Sequence, residues 1–296
     1  MAVLAFPPSF RRAYEQARAE PASLLPLALG VVAFVALFYQ PMTSLASDWW
    51  NDPDSGHGLL LAPAAIWLAV RAGTDPKSIA QPWIGGPLLV AAVLMRYASE
   101  LASELFIMRA SMVGALAALT IFYLGTRQVV RWWLPFALLI LAIPLPELVT
   151  QALALPLQFK ASQMGAALLE ARQVPVLLSG NIIRLPGHEL FVTEACSGLR
   201  SLTALASMGI LIGALFLKSI PGRVVLVAFS IPIAIVVNGL RVFLTGFLVY
   251  YVNPGLGTGF LHLTEGWLLF LASLLGLAAA AVMIKLVESM RARRTA

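Results

Sequence analysis

Residues 193–217 read TEACSGLRSLTALASMGILIGALFL, and they hold the one cysteine of the chain, Cys196. Upstream lies a polar stretch with turn signals at Ser179-Gly180-Asn181 and Pro186-Gly187. Downstream, Leu202 to Leu217 carries no charge and reads as the body of a membrane-crossing helix. Thr193 suits an N-cap, which sets Cys196 in the first helical turn. Free backbone N–H groups and the helix dipole there favour a thiolate over a thiol. Arg200, one turn further on, pushes the same way. By type alone a lone cysteine in an apolar chain is a small inert hydrophobe. The arginine behind it, and others facing the same end of the membrane, turn the reading toward a reactive thiol at a membrane surface.

Of 296 residues, 60% are hydrophobic and only 11% charged, against about a quarter charged in globular domains. Apolar runs recur along the whole length, so the expected fold is an all-α polytopic membrane protein. Working outward, spans are expected at about 22–40, 59–70, 84–99, 105–124, 132–150, 194–217, 224–251 and 262–284. This gives a cytoplasmic segment 1–21, a transmembrane domain 22–285 and a basic tail 286–296. Residues 151–173 mix Gln158, Lys160, Gln163, Glu170 and Arg172 with apolar side chains, and read as an amphipathic helix in the interface. Gly180 to Val192 is expected to form a small hairpin before the sixth span.

Eight crossings put both termini on one side. Thirteen of the twenty basic residues fall in loops on that side, against Lys160, Arg172 and Arg184 on the other, so the termini are expected to be cytoplasmic. The net charge of +6 is thus an orientation signal and not a nucleic-acid footprint. Cys196, His57, His188 and His262 then share the outward side. A single cysteine excludes an internal disulfide, and no cleavable signal peptide is evident.

Arg96, Arg109, Arg200 and Arg241 stand within or beside spans, where a charge costs about 2.5–3.5 kcal/mol on insertion scales. Arg96 and Arg109 are within helical reach of the Glu100–Glu104 turn and read as ion-paired. Arg241 follows Asn238 by three residues and has no carboxylate near it in sequence, so it must face a partner, a cavity or an anionic intermediate. His262 precedes Glu265 by three residues on one helical face, a spacing that lets the carboxylate orient the imidazole. Thiol, guanidinium and imidazole together make an acyl-transfer set. His188 competes with His262 for the base role. His57, in Ser55-Gly56-His57-Gly58, either lines the site or simply belongs to the turn into the second span. These ligand types have no compact metal spacing, so neither metal nor other cofactor is expected.

Glu194-Ala195-Cys196-Ser197-Gly198-Leu199-Arg200-Ser201, with Gly180-Asn181 and Leu185-Pro186-Gly187 before it and Asn238-Gly239-Leu240-Arg241 and His262 after it, resembles the exosortase family. Ser55-Gly56-His57-Gly58 followed by Leu59-Leu60-Leu61-Ala62-Pro63 is similar to that family's early motif. The resemblance covers about 25–285. It implies a multi-pass bacterial inner-membrane enzyme with its site toward the periplasm. The implied substrate is a protein with a C-terminal sorting signal: a Pro-Glu-Pro motif, a membrane span and a basic cluster. The implied chemistry is cysteine-dependent cleavage with transfer to an acceptor nucleophile of unknown identity. On this resemblance Cys196, Arg241 and His262 are catalytic. Glu194, Arg200, Asn238, Glu265, His57, His188 and Arg184 are supporting or substrate-binding candidates, and Arg184, Arg200 or Lys160 would meet the substrate glutamate. The expected partners are that signal, membrane lipid and the acceptor, with no nucleic acid. A transporter or flippase for an anionic envelope substrate is the alternative, and a non-enzymatic assembly scaffold is a third.

Overall fold

The computed structural model describes residues 25–52, 55–192, 199–253 and 260–295. Two compact units divide the chain, residues 1–146 and 147–296. The first contains α1 (Leu25–Asn51), α2 (Gly58–Ala72), α3 (Pro82–Leu101), α4 (Leu105–Leu124), α5 (Thr126–Arg131) and α6 (Trp133–Leu141). The second contains α7 (Glu147–Glu170), strands β1 (Leu177–Ser179), β2 (Ile182–Leu185) and β3 (His188–Phe191), then α8 (Leu199–Phe216), α9 (Ile220–Tyr251) and α10 (Phe260–Thr295). Among the described residues, α1, α3, α4, α9 and α10 hold apolar stretches long enough to cross a bilayer, and α2 and α8 are shorter apolar helices. The chain is a multi-pass membrane protein.

In the first unit, a buried arginine repairs the helix that a proline damages. Pro41 lies inside α1, where it has no N–H to give the carbonyl of Leu37 and its ring crowds that turn; the helix kinks at Phe38. Arg96 of α3 donates through Nε to the Leu37 carbonyl at 2.7 Å, and its other arm pairs with Glu100 at 2.5 Å. Arg96 is therefore structural, as its spacing from Glu100 implied. Arg109 differs from expectation. It pairs with Asp48 at the end of α1, at 2.7 Å, and not with the Glu100–Glu104 turn. Glu104 is occupied elsewhere: its carboxylate caps α4 by accepting the Ile107 N–H at 2.9 Å.

The fifth expected span, 132–150, is not one helix. It breaks after Leu141 because Pro144 and Pro146 supply no N–H to the last turn and disfavour helix before them. The carbonyls left over are capped from α1 and the turn before α2. Trp49 Nε1 donates to Ala142 O at 2.7 Å, and His57 Nε2 contacts Leu141 O at 3.2 Å. A carbonyl only accepts, so this contact requires the proton on His57 Nε2. Gly58 makes the arrangement sterically feasible: a Cβ there would lie 2.1–2.5 Å from the Trp49 indole. Gly58→Ala is expected to push Trp49 off Ala142 and cost about 1–3 kcal/mol, the usual range for overpacking. Thermal unfolding in detergent checks this, with Trp49→Phe as the control that removes the bond without the clash.

In the second unit, the helix expected at 151–173 is α7, which begins four residues earlier. It is a continuous 24-residue helix with Ala154, Gln158, Ala161, Ser162, Gly165, Ala166 and Leu169 buried along one stripe. That stripe packs against α9 in parallel: Met164 lies over Gly239, Val242 over Gly165 and Leu169 over Gly246. Small residues on both helices permit the close approach. The expected amphipathic character holds: Lys160, Gln163, Glu170 and Arg172 are exposed, while Gln158 is buried with the small residues of the stripe. Beyond α7, the anticipated hairpin is a three-stranded antiparallel sheet in the order β1-β2-β3. Gly180-Asn181 joins the first pair and Pro186-Gly187 the second, with Gly180 at φ +65° and Gly187 at φ +79°. Ile183, Leu185 and Val192 of the sheet segment join Leu169, Val174, Val242 and Val249 in one core, which seats the sheet on the C-terminal ends of α7 and α9. The last helix, α10, runs on through Arg291 and Arg293, so the basic tail begins as its continuation.

Candidate functional site

The helices that carry or follow the three expected catalytic residues pack together. Leu205 of α8, Leu226 and Ala234 of α9, and Leu277 and Ala281 of α10 share one buried cluster. The register between α8 and α9 is antiparallel: Gly209 faces Val227 and Gly213 faces Arg223. Carried along both helices, it sets Leu199, the first residue of α8, level with Val237. Asn238 is then beside that level, and Arg241 about one turn, roughly 6 Å, beyond it. Gly222 of α9 faces Ile284 and Glu288 of α10, again antiparallel.

The α9 face that bears Arg241 is polar within an otherwise apolar helix. Asn238, Arg241 and Thr245 are spaced three and four residues apart, hence on one side. Asn238 is buried, Arg241 and Thr245 are half-buried, and none of the three stands without a partner. The Arg241 Nε is enclosed by protein. The stripe lies next to the Gly239–Val242–Gly246 seam that α7 covers. Thr245 was not singled out from sequence, although its spacing from Arg241 carries the same signal as Asn238.

Cys196 and Glu194 lie outside the described residues, and with them the expectation that Cys196 occupies a first helical turn. Arg200 is in the first turn of α8, and His262 and Glu265 are in the opening turns of α10. His188 begins β3, paired with Leu185, and is exposed. Arg184 of β2 is exposed and engaged with Glu189 of β3 across the strands, at 2.9 Å. His57 belongs to the first unit, where it contacts the end of α6. No group of metal-binding side chains occurs among the described residues.

A polytopic membrane protein with a strand-built cap leading into three packed helices, and an arginine embedded in the second of them, is the class these features define. The transmembrane exosortase family model (Exosortase_EpsH) matches residues 49–279, most of the chain, and the chain belongs to that family. Membership supports a membrane transpeptidase that acts in protein sorting, on substrates with a C-terminal sorting signal. No curated relative and no solved structure matched.

Proposed function

We propose that the chain is a cysteine transpeptidase of the bacterial inner membrane that cleaves a Pro-Glu-Pro-type C-terminal sorting signal on the periplasmic side and passes the product to a cell-envelope acceptor. The carrying observation is the packing of α8, α9 and α10 into one core, with Arg241 a turn from the level of Leu199. Cys196 precedes Leu199 by three residues in sequence. The excess of basic residues in the opposite loops supports the outward direction of this end.

In the reaction, the Cys196 thiolate attacks the scissile carbonyl carbon and a C–S bond forms. Charge builds on the carbonyl oxygen. A guanidinium does not give up its proton in a protein, so Arg241 acts by stabilising that oxyanion and the thiolate. Collapse breaks the C–N bond, and the His262 imidazolium delivers a proton to the leaving amine. The thioester is then attacked by the acceptor, His262 takes the acceptor's proton, and the thiolate leaves. Glu265, one turn from His262, orients the ring. A substrate signal helix would enter from the lipid with its basic tail left in the cytoplasm.

Co-expression with a secreted reporter bearing the sorting signal tests the reading. Wild-type protein should convert the reporter to a shorter form. His262→Ala at equal protein level should slow conversion by about 10²–10⁴-fold, the usual contribution of acid–base catalysis. Conversion at the wild-type rate would remove His262 from the mechanism and leave His188 to be tested in its place.

A further inference from the structure

Resting on the reading of Cys196 as the nucleophile, we propose that Asn181 and Gln158 are positioning residues that fix the point from which the cysteine segment leaves the sheet. The segment departs at Val192, four residues before Cys196. Both backbone polar groups of Val192 are held by one residue. Its N–H donates to the Asn181 carbonyl at 3.0 Å, and its carbonyl accepts from Asn181 Nδ2 at 3.2 Å. The second N–H of that amide is spent on α7, donating to Gln158 Oε1 at 3.2 Å.

Turn chemistry alone does not require this arrangement. Asn181 is the second central residue of a two-residue hairpin turn whose glycine, Gly180, supplies the positive φ. Asparagine in such turns is usually chosen for local bonds and solvation. Here its amide instead spans 11 residues forward to Val192 and 23 back to Gln158. Gln158 is itself almost fully buried, at 6% exposure, a costly place for an amide unless its bonds are needed. Val192 is 3% exposed, in the core that joins the sheet to α7 and α9. A chain from α7 through Asn181 to Val192 thus ties the last described residue before the cysteine segment to the helix that packs on the face of α9 next to Arg241. Catalysis is sensitive to placement at this scale, since a shift of about 1 Å in a reacting group can cost up to about 10²-fold.

The test uses the full-length protein reconstituted in vesicles with a peptide spanning the sorting signal. Asn181→Ala should lower kcat about tenfold or more while KM stays within twofold, because Asn181 touches the cysteine segment's anchor and not the substrate. Gln158→Met, similar in size but without the acceptor, should lower kcat about threefold, and Gln158→Glu, which keeps the acceptor oxygen, should restore it. Folded yield by size-exclusion chromatography is measured for each. If Asn181→Ala fails to fold, the Gln158 pair decides alone. Wild-type kcat in Asn181→Ala or in Gln158→Met, or equal loss of activity in Gln158→Met and Gln158→Glu, would overturn the proposal. The underlying reading fails separately: a Cys196→Ala protein that still processes the peptide removes the nucleophile itself, whereas a dead Cys196→Ala beside a fully active Asn181→Ala removes only the positioning role.

Discussion

Cys196→Ala should abolish processing of a co-expressed substrate, with a loss of about 10⁴-fold or more, while leaving the protein's amount in the membrane unchanged. The size follows from what is removed. Without the sulfur there is no covalent intermediate, and only binding and oxyanion stabilisation remain, which in hydrolases with a nucleophile-base pair leaves a small residual rate. Cys196→Ser should fare nearly as badly, because a serine hydroxyl, unlike a thiol, has no appreciable anionic population near neutral pH. Immunoblotting for the shortened substrate reads the outcome, and tag fluorescence reads the protein level. A transporter for an anionic envelope substrate would behave differently, tolerating Cys196→Ala while losing function on Arg241→Ala. A scaffold would tolerate both.

Arg241→Ala is the second large effect, at about 10²–10³-fold in kcat, the usual cost of removing one donor to an oxyanion. Its folding cost should be modest, since the substitution takes a charge out of an apolar helix instead of adding one. Arg241→Lys separates the roles of charge and geometry. Lysine keeps the positive charge but presents a point and not a planar fork, so it should recover part of the rate and not all of it. Because an arginine does not titrate in the working range, Arg241→Lys should leave the acidic limb of the pH–rate profile where it is. His262→Ala should instead flatten the alkaline limb, on which the imidazolium that protonates the leaving amine is lost. Single-turnover rates across pH with purified protein distinguish these outcomes.

What the sequence conveys and what it withholds have physical causes. Long uncharged runs announce their helices directly, and α3, α4, α9 and α10 lie where the runs do. The polar stripe on α9 is legible for the same reason: Asn238 and Arg241 are conspicuous against leucine and valine. The single span expected at 132–150 ignores Pro144 and Pro146, whose missing N–H groups end α6, and the repair comes from Trp49 and His57, some ninety residues away in sequence. No local pattern carries that information. The partner of Arg109 is hidden likewise, because Glu104 is the nearer carboxylate in sequence and is already engaged as a helix cap. A hydropathy reading of residues 151–173 finds an amphipathic helix, and Lys160, Gln163, Glu170 and Arg172 are indeed exposed. It does not see that Gly165, Gly239 and Gly246 let α7 lie against α9. Asn181 is visible as a turn residue, but its hold on Val192 is a property of strand register.

The central claim is a covalent bond between Cys196 and the substrate, and it is tested most directly by intact and peptide mass spectrometry of the full-length protein quenched in acid during turnover. The expected species is a hydroxylamine-labile adduct on the peptide containing Cys196, equal in mass to the N-terminal fragment of the substrate less water. It should be absent from Cys196→Ala and should accumulate when the acceptor is withheld. Turnover of the same substrate with no adduct on Cys196 at any time, or with the fragment bound to another residue, would contradict it.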